Sequence, residues 1–132
     1  MNVLVDTSLL IDVLRSRQER ADLLQALLRQ GRLLCACDIT LAEVFAGMHD
    51  AERTATENLM SSLYYIPSDP QVARQAGLLR RDWRRKGVTL TLSDTFLAAL
   101  AMRHDLALLT DNRKHFPMAG LVVWTPAEAP TA

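Results

Sequence analysis

Val3-Leu4-Val5 is a short run of apolar residues without alternation, and Asp6 cuts it off. A strand with one face in water alternates apolar and polar side chains. An unbroken run of this length is the pattern of a strand covered on both faces, as in a parallel sheet. Helical spacing follows at once, within Thr7 to Arg15. It resumes from Glu19 to Gln30, where Leu23, Leu24, Leu27 and Leu28 form one apolar face and Gly31 supplies a left-handed stop. The chain thus opens with a buried strand and a helical hairpin.

The same alternation continues to the end. Leu33 to Ala36 reads as a second buried strand, after which Thr40 can cap a helix running toward Ala46 and Gly47. Ala51, Ala55, Leu59 and Leu63 recur every four residues, one side of a further helix, and Tyr64 to Ile66 is a short third strand closed by Pro67. Asp69-Pro70 is a strong helix start, with Val72, Ala76, Leu79 and Trp83 as its buried stripe up to Lys86. Ser93 opens the next helix, with Phe96, Leu97, Leu100 and Ala101 inward. Leu106 to Leu109 and Leu121 to Trp124 then read as a fourth and a fifth strand. Strands separated by one or two helices predict an α/β, three-layer fold: a central, mostly parallel sheet of about four to five strands flanked by helices. At 132 residues, 49% of them hydrophobic, with 5 Gly and 5 Pro, the expectation is one compact domain over 1–132.

Fifteen basic residues balance fifteen acidic ones, so no whole-molecule field draws in nucleic acid or anionic membrane, and any such binding must be local. Two cysteines, Cys35 and Cys37, are too few for a zinc quartet or a disulfide framework and are expected as buried thiols in a reducing cytoplasm. The N-terminal apolar run is too short for export or membrane spanning. No Gly-rich phosphate loop occurs, which removes the P-loop and dinucleotide-binding classes.

Four carboxylates fall at element junctions: Asp6 after the first strand, Glu43 early in the helix after the second, Asp94 at a helix start and Asp111 just after the fourth strand. Ligand crevices in open parallel sheets lie beyond the carboxyl ends of the strands, so Asp6 and Asp111 are expected on one edge. Acids gathered there repel one another unless a cation intervenes, and all-oxygen clusters suit Mg²⁺ or Mn²⁺. Each acid also has an ordinary structural reading. Thr40-Leu41-Ala42-Glu43 fits a capping box, Asp94 complements a helix dipole, Asp6 can cap the helix after it, and Asp111 suits a turn. Junction positions shared by all four are what separate capping needs do not require.

Other polar residues are placed more modestly. Ser8 and Ser93 read as hydroxyls orienting a neighbouring carboxylate or a water, and His49, His104 and His115 as surface or capping residues. Arg80, Arg81, Arg84, Arg85 and Lys86 form a local basic ridge. Its ordinary reading is a solvated helix face, and it is the best candidate for phosphate contacts outside the crevice.

The segments Val5-Asp6-Thr7-Ser8-Leu9-Leu10-Ile11, Ile39-Thr40-Leu41-Ala42-Glu43-Val44 with Gly47, Leu92 to Ala101 around Ser93-Asp94-Thr95, and Leu108 to Phe116 resemble, in order, those of the PIN-domain ribonucleases, most closely the VapC toxins of bacterial VapBC modules. The resemblance implies a PIN-like fold and a Mg²⁺- or Mn²⁺-dependent endoribonuclease. Its catalytic, metal-holding acids would be Asp6, Glu43 and Asp94, with a fourth polar position in the Thr110 to Asn112 loop. There Asp111 as a shifted ligand and Asn112 as a neutral donor are the alternatives, Asp111 being favoured; Ser8 and Thr110 are supporting hydroxyls. A homodimer and a VapB-like antitoxin whose tail occludes the crevice are implied as well.

Rival readings meet specific obstacles. A haloacid-dehalogenase-type phosphatase needs a second Asp where Ser8 stands, and a receiver-like domain needs an Asp where the chain has Pro67. A catalytically silent PIN-like interaction domain is the remaining alternative, and it predicts that the acids are dispensable for metal binding.

Overall fold

The computed structural model describes residues 1–131; Ala132, the last residue of the expected 1–132 domain, lies outside them. Five strands, β1 (Val3–Val5), β2 (Leu34–Cys37), β3 (Tyr64–Ile66), β4 (Ala107–Leu109) and β5 (Val123–Trp124), form one sheet in the order β3-β2-β1-β4-β5. All neighbouring pairs are parallel. The expected sheet is therefore present at five strands, all parallel.

The unbroken apolar run is explained by what lies on each face. Val3 and Val5 face one core with Leu34, Ala36 and Leu109. Leu4 faces the other with Cys35, Cys37 and Leu108. Helices α1 (Thr7–Leu14), α2 (Gln18–Arg29), α3 (Asp38–Gly47) and α4 (Arg53–Ser61) contribute Leu9, Leu27, Val44 and Met60 to the first core. Helices α5 (Pro70–Arg85) and α6 (Leu92–Arg103) cover the second with Val72, Ala76, Leu97 and Leu100. Both cysteines are free and buried, and burial pushes the Cys35 thiol up to about 11.

Two local expectations are corrected. The third helix begins at Asp38, not after a Thr40 cap. Thr40 is instead its third residue, and its Oγ1 accepts from the Cys37 N–H at 2.9 Å. The anticipated Thr40–Glu43 capping box does not form, which leaves Glu43 without a capping task. In the fourth helix the buried positions are Thr56 and Met60, with Leu59 and Leu63 partly covered, while Ala51 and Ala55 are exposed. A 3-10 turn at Asp50–Glu52 precedes this helix and takes Ala51 out of its register.

The topology determines where a site can form. From the central strand β1 the chain proceeds outward to β2 and β3, then returns to the other side of β1 for β4 and β5. The order therefore reverses between β1 and β4, and the carboxyl ends of those two strands are where an open parallel sheet offers a ligand site. Val5 pairs with Leu109, so the residues that follow each, Asp6 and Thr110, emerge side by side.

Candidate metal centre

Asp6 is both the residue after β1 and the N-cap of α1. Its Oδ1 accepts the Thr7 N–H at 2.8 Å, and its own N–H donates to the Leu109 carbonyl at 2.9 Å. Across the β1–β4 register the fully buried Thr110 donates its hydroxyl to Asp6 Oδ2 at 2.7 Å. Both carboxylate oxygens are thus held by neutral donors while the side chain is 8% exposed. Burial pushes the Asp6 carboxyl above the ordinary carboxylate range; the bonds from Thr110 and Thr7 draw it back, and the charges of Asp94 and Glu43 push it up again. The charges of Asp94 and Glu43, on two other elements, thus reach Asp6.

Glu43, one turn into α3, accepts the Thr7 hydroxyl at 2.8 Å, which ties α3 to the first turn of α1. Asp94 is the third residue of α6, whose cap is Thr91: the Thr91 side chain accepts the Asp94 N–H at 3.1 Å. The Asp94 carboxylate lies 3.3 Å from Nδ1 of His115, carried by the 3-10 turn Arg113–His115. His115 is exposed, in line with the surface position the sequence predicts. Its contact with Asp94 depends on how α6 meets the loop after β4, which no local pattern reports.

In the loop after β4 the two candidates for a fourth position make separate contacts. Asp111 Oδ1 accepts from Arg20 Nη2 of α2 at 2.9 Å. The Asn112 N–H donates to Thr110 Oγ1 at 3.0 Å, and its side chain is exposed. Of the three residues in that loop it is Thr110 that touches Asp6.

The donor set has the character a hard divalent cation requires. Asp6, Glu43 and Asp94 have no Lys or Arg partner among the described residues. Ser8 Oγ, two residues beyond Asp6, is buried with no hydrogen-bond partner, so a polar group there awaits a water or ligand. No three Asp, Glu, His or Cys side chains among the described residues are drawn close enough to enclose an ion by themselves. Mg²⁺ keeps several waters and is commonly held through one or two carboxylates, so this open arrangement fits it better than it would fit zinc.

The basic ridge divides on inspection. Arg80 is half-buried and its Nε donates to the Leu90 carbonyl at 3.0 Å, which fixes the end of α5 beside the start of α6. Lys86 Nζ sits 4.6 Å from the Trp83 ring centroid. Arg81, Arg84 and Arg85 remain exposed in the last turns of α5, the end that the Arg80–Leu90 bond sets beside the start of α6. No helix of the described residues is long and apolar enough to cross a membrane.

Residues 3–120 match the PIN domain family. The chain is 33% identical over 115 residues to Ribonuclease VapC19 of Mycobacterium tuberculosis, covering 87% of this chain and 92% of that protein. It is 36% identical over 116 residues to Ribonuclease VapC10 of the same organism, covering 88% and 86%. Among solved structures, a toxin-antitoxin complex from Klebsiella pneumoniae is similar at 30% identity and a TM-score of 0.77, over 97% of this chain and 100% of that one. VapBC2 from Rickettsia felis, bound to a fragment of its promoter DNA, shares the fold at 20% identity and a TM-score of 0.84, over 95% and 98%.

Proposed function

The chain belongs to the PIN domain family, and from that premise we propose that it is the toxin of a VapBC-type pair, an endoribonuclease that hydrolyses phosphodiester bonds of cytoplasmic RNA with Mg²⁺ or Mn²⁺. The observation that carries the proposal is Asp6. A buried carboxylate with both oxygens held by neutral donors, facing two further acids and no Lys or Arg, is an arrangement that a divalent cation would stabilise. Asp6, Glu43 and Asp94 would hold that ion.

A bound divalent ion supplies positive charge at the scissile phosphate and makes a water more acidic there. The remaining work belongs to the chain's own groups. Thr110 and Thr7 fix the Asp6 oxygens, and the Thr7 hydroxyl also orients Glu43. Glu43 is exposed, and its free carboxylate oxygen would accept the proton of the attacking water. Ser8 Oγ provides a fixed hydroxyl for a water beside Asp6. His115, 3.3 Å away, steadies Asp94. Arg81, Arg84 and Arg85 give single-stranded or looped RNA a phosphate track outside the crevice.

The antitoxin would cover two surfaces. One is the acidic crevice, where an Arg of the antitoxin can stand in for the cation. The other is an apolar groove of about 200 Å³ between α1, α2 and α4, lined by Val13, Leu24, Leu28, Leu59 and Leu63. Expression of the chain alone in a bacterial host is expected to arrest growth, and the product of an adjacent small antitoxin gene to restore it. An equally toxic Glu43→Gln chain would refute RNA cleavage as the cause.

A further inference from the structure

The acids at the carboxyl edge of the sheet fall into two sets. Asp6, Glu43 and Asp94 have no Arg or Lys partner among the described residues, whereas Asp111 is held by Arg20 at 2.9 Å. The Arg20 side chain is only 12% exposed, against 31% for Asp111. Its Nε lies 3.3 Å from Asp12 Oδ2, and Asp12 in turn takes Arg17 Nη1 at 3.0 Å. The Arg20 Nε is buried without a well-aligned hydrogen bond, so the Asp111 contact is the guanidinium's best-formed one.

We propose that Arg20 is a positioning residue that withholds Asp111 from the metal, leaving Asp6, Glu43 and Asp94 as the carboxylates offered to it, and that ties the α1–α2 hairpin to the loop after β4. The inference rests on the metal reading above and settles its fourth position. Recruiting Asp111 as a ligand would strand a mostly buried guanidinium beside a divalent cation, a double electrostatic cost. Asn112 does not fill the gap, because it contributes its backbone N–H to Thr110 while its side chain is exposed. Arg20 and Asp111 are 91 residues apart in the chain, so their pairing locks two elements that nothing local holds together.

The pair is neutral as a unit, and that makes it testable by a double-mutant cycle read as Mn²⁺ affinity in titration calorimetry, without RNA. Arg20→Met alone releases the Asp111 charge beside Thr110 and is expected to tighten Mn²⁺ roughly fivefold. Arg20→Met with Asp111→Asn removes both charges and is expected to bind Mn²⁺ within about twofold of the unaltered chain. A tenfold or greater weakening in the double variant, with Arg20→Met alone no weaker than the unaltered chain, would overturn the inference, because the lost tie is common to both and only a lost ligand separates them. Should that variant unfold, carboxyl ¹³C signals of the unaltered chain titrated with Mg²⁺ decide the matter. Asp6 and Asp94 are expected to shift while Asp111 stays. Asp111 shifting with them would refute the role of Arg20, and a still Asp6 would refute the metal site itself.

Discussion

Replacing Thr110 by Val keeps the shape of a fully buried side chain and deletes one hydroxyl. That hydroxyl donates to Asp6 Oδ2 at 2.7 Å and accepts the Asn112 N–H at 3.0 Å. A buried hydrogen bond to a charged group contributes about 1.5–3 kcal/mol, and the Asn112 N–H, near the surface, recovers a water partner. The expected loss is therefore about 2–3 kcal/mol at neutral pH, or a melting temperature lower by roughly 10 °C for a chain of this size. The pH dependence is the sharper readout. Asp6 as a whole is raised by burial, so its ionisation costs stability that is intact below the unfolded carboxylate pKa and lost as pH rises through the folded one. Thr110 opposes this by stabilising the ionised form. Its deletion must raise the Asp6 pKa further, so the destabilisation grows from acid to neutral pH and the acid limb of RNA cleavage moves to higher pH. Thr110→Ser, which keeps the donor, is the control and should retain the unaltered acid limb. Equal stability loss at acid and neutral pH, with an unmoved acid limb, would refute the claim that Thr110 tunes Asp6.

Further consequences concern other groups. Asp6→Asn should abolish cleavage yet fold with equal or greater stability at neutral pH, because it removes a buried charge while its amide can donate to Thr110; thermal melts at pH 4 and pH 7 check this, the advantage appearing only at the higher pH. Changing Arg81, Arg84 and Arg85 to Gln should weaken RNA binding and flatten the log-log salt slope by roughly 2, at about 0.7 per phosphate contact on a single strand, as measured by fluorescence anisotropy against salt. Cys35, buried and pushed up to about 11, should resist thiol reagents at neutral pH in the folded protein and react promptly in denaturant.

What could be read from sequence tracks how local each cause is. Val3 to Val5 and Leu106 to Leu109 announced themselves because a strand buried on both faces has no polar alternate positions. Asp69-Pro70 announced a helix because cap and φ are set within two residues, and Asp69 indeed accepts the Val72 N–H at 3.0 Å. The start of α3 was misjudged because Thr40 resembles a cap, whereas the chain turns helical directly out of β2 at Asp38. That error mattered for function, since it lent Glu43 a capping role it does not have. The pairings of Asp94 with His115 and of Asp111 with Arg20 depend on the docking of elements far apart in sequence, and no spacing rule reaches that far. Asp6 and Thr110 lie between these cases. That the ends of the first and fourth strands share an edge followed from strand logic, as read for Asp6 and Asp111, but the Asp6–Thr110 bond required the Val5–Leu109 register.

The most direct test of the central claim is cleavage of a structured RNA panel by purified protein, with Asp94→Asn beside the unaltered chain and circular dichroism to show that both are folded. Asp94 stands against His115 at the crevice and takes no Arg or Lys among the described residues, so its neutralisation should remove a charge the ion needs and little that the fold needs. The account predicts cutting with Mg²⁺ or Mn²⁺, none in chelator, restoration on adding the ion back, and no cutting by folded Asp94→Asn at any metal concentration. Cleavage that persists in chelator, or a folded Asp94→Asn chain that cuts at the unaltered rate, would contradict it.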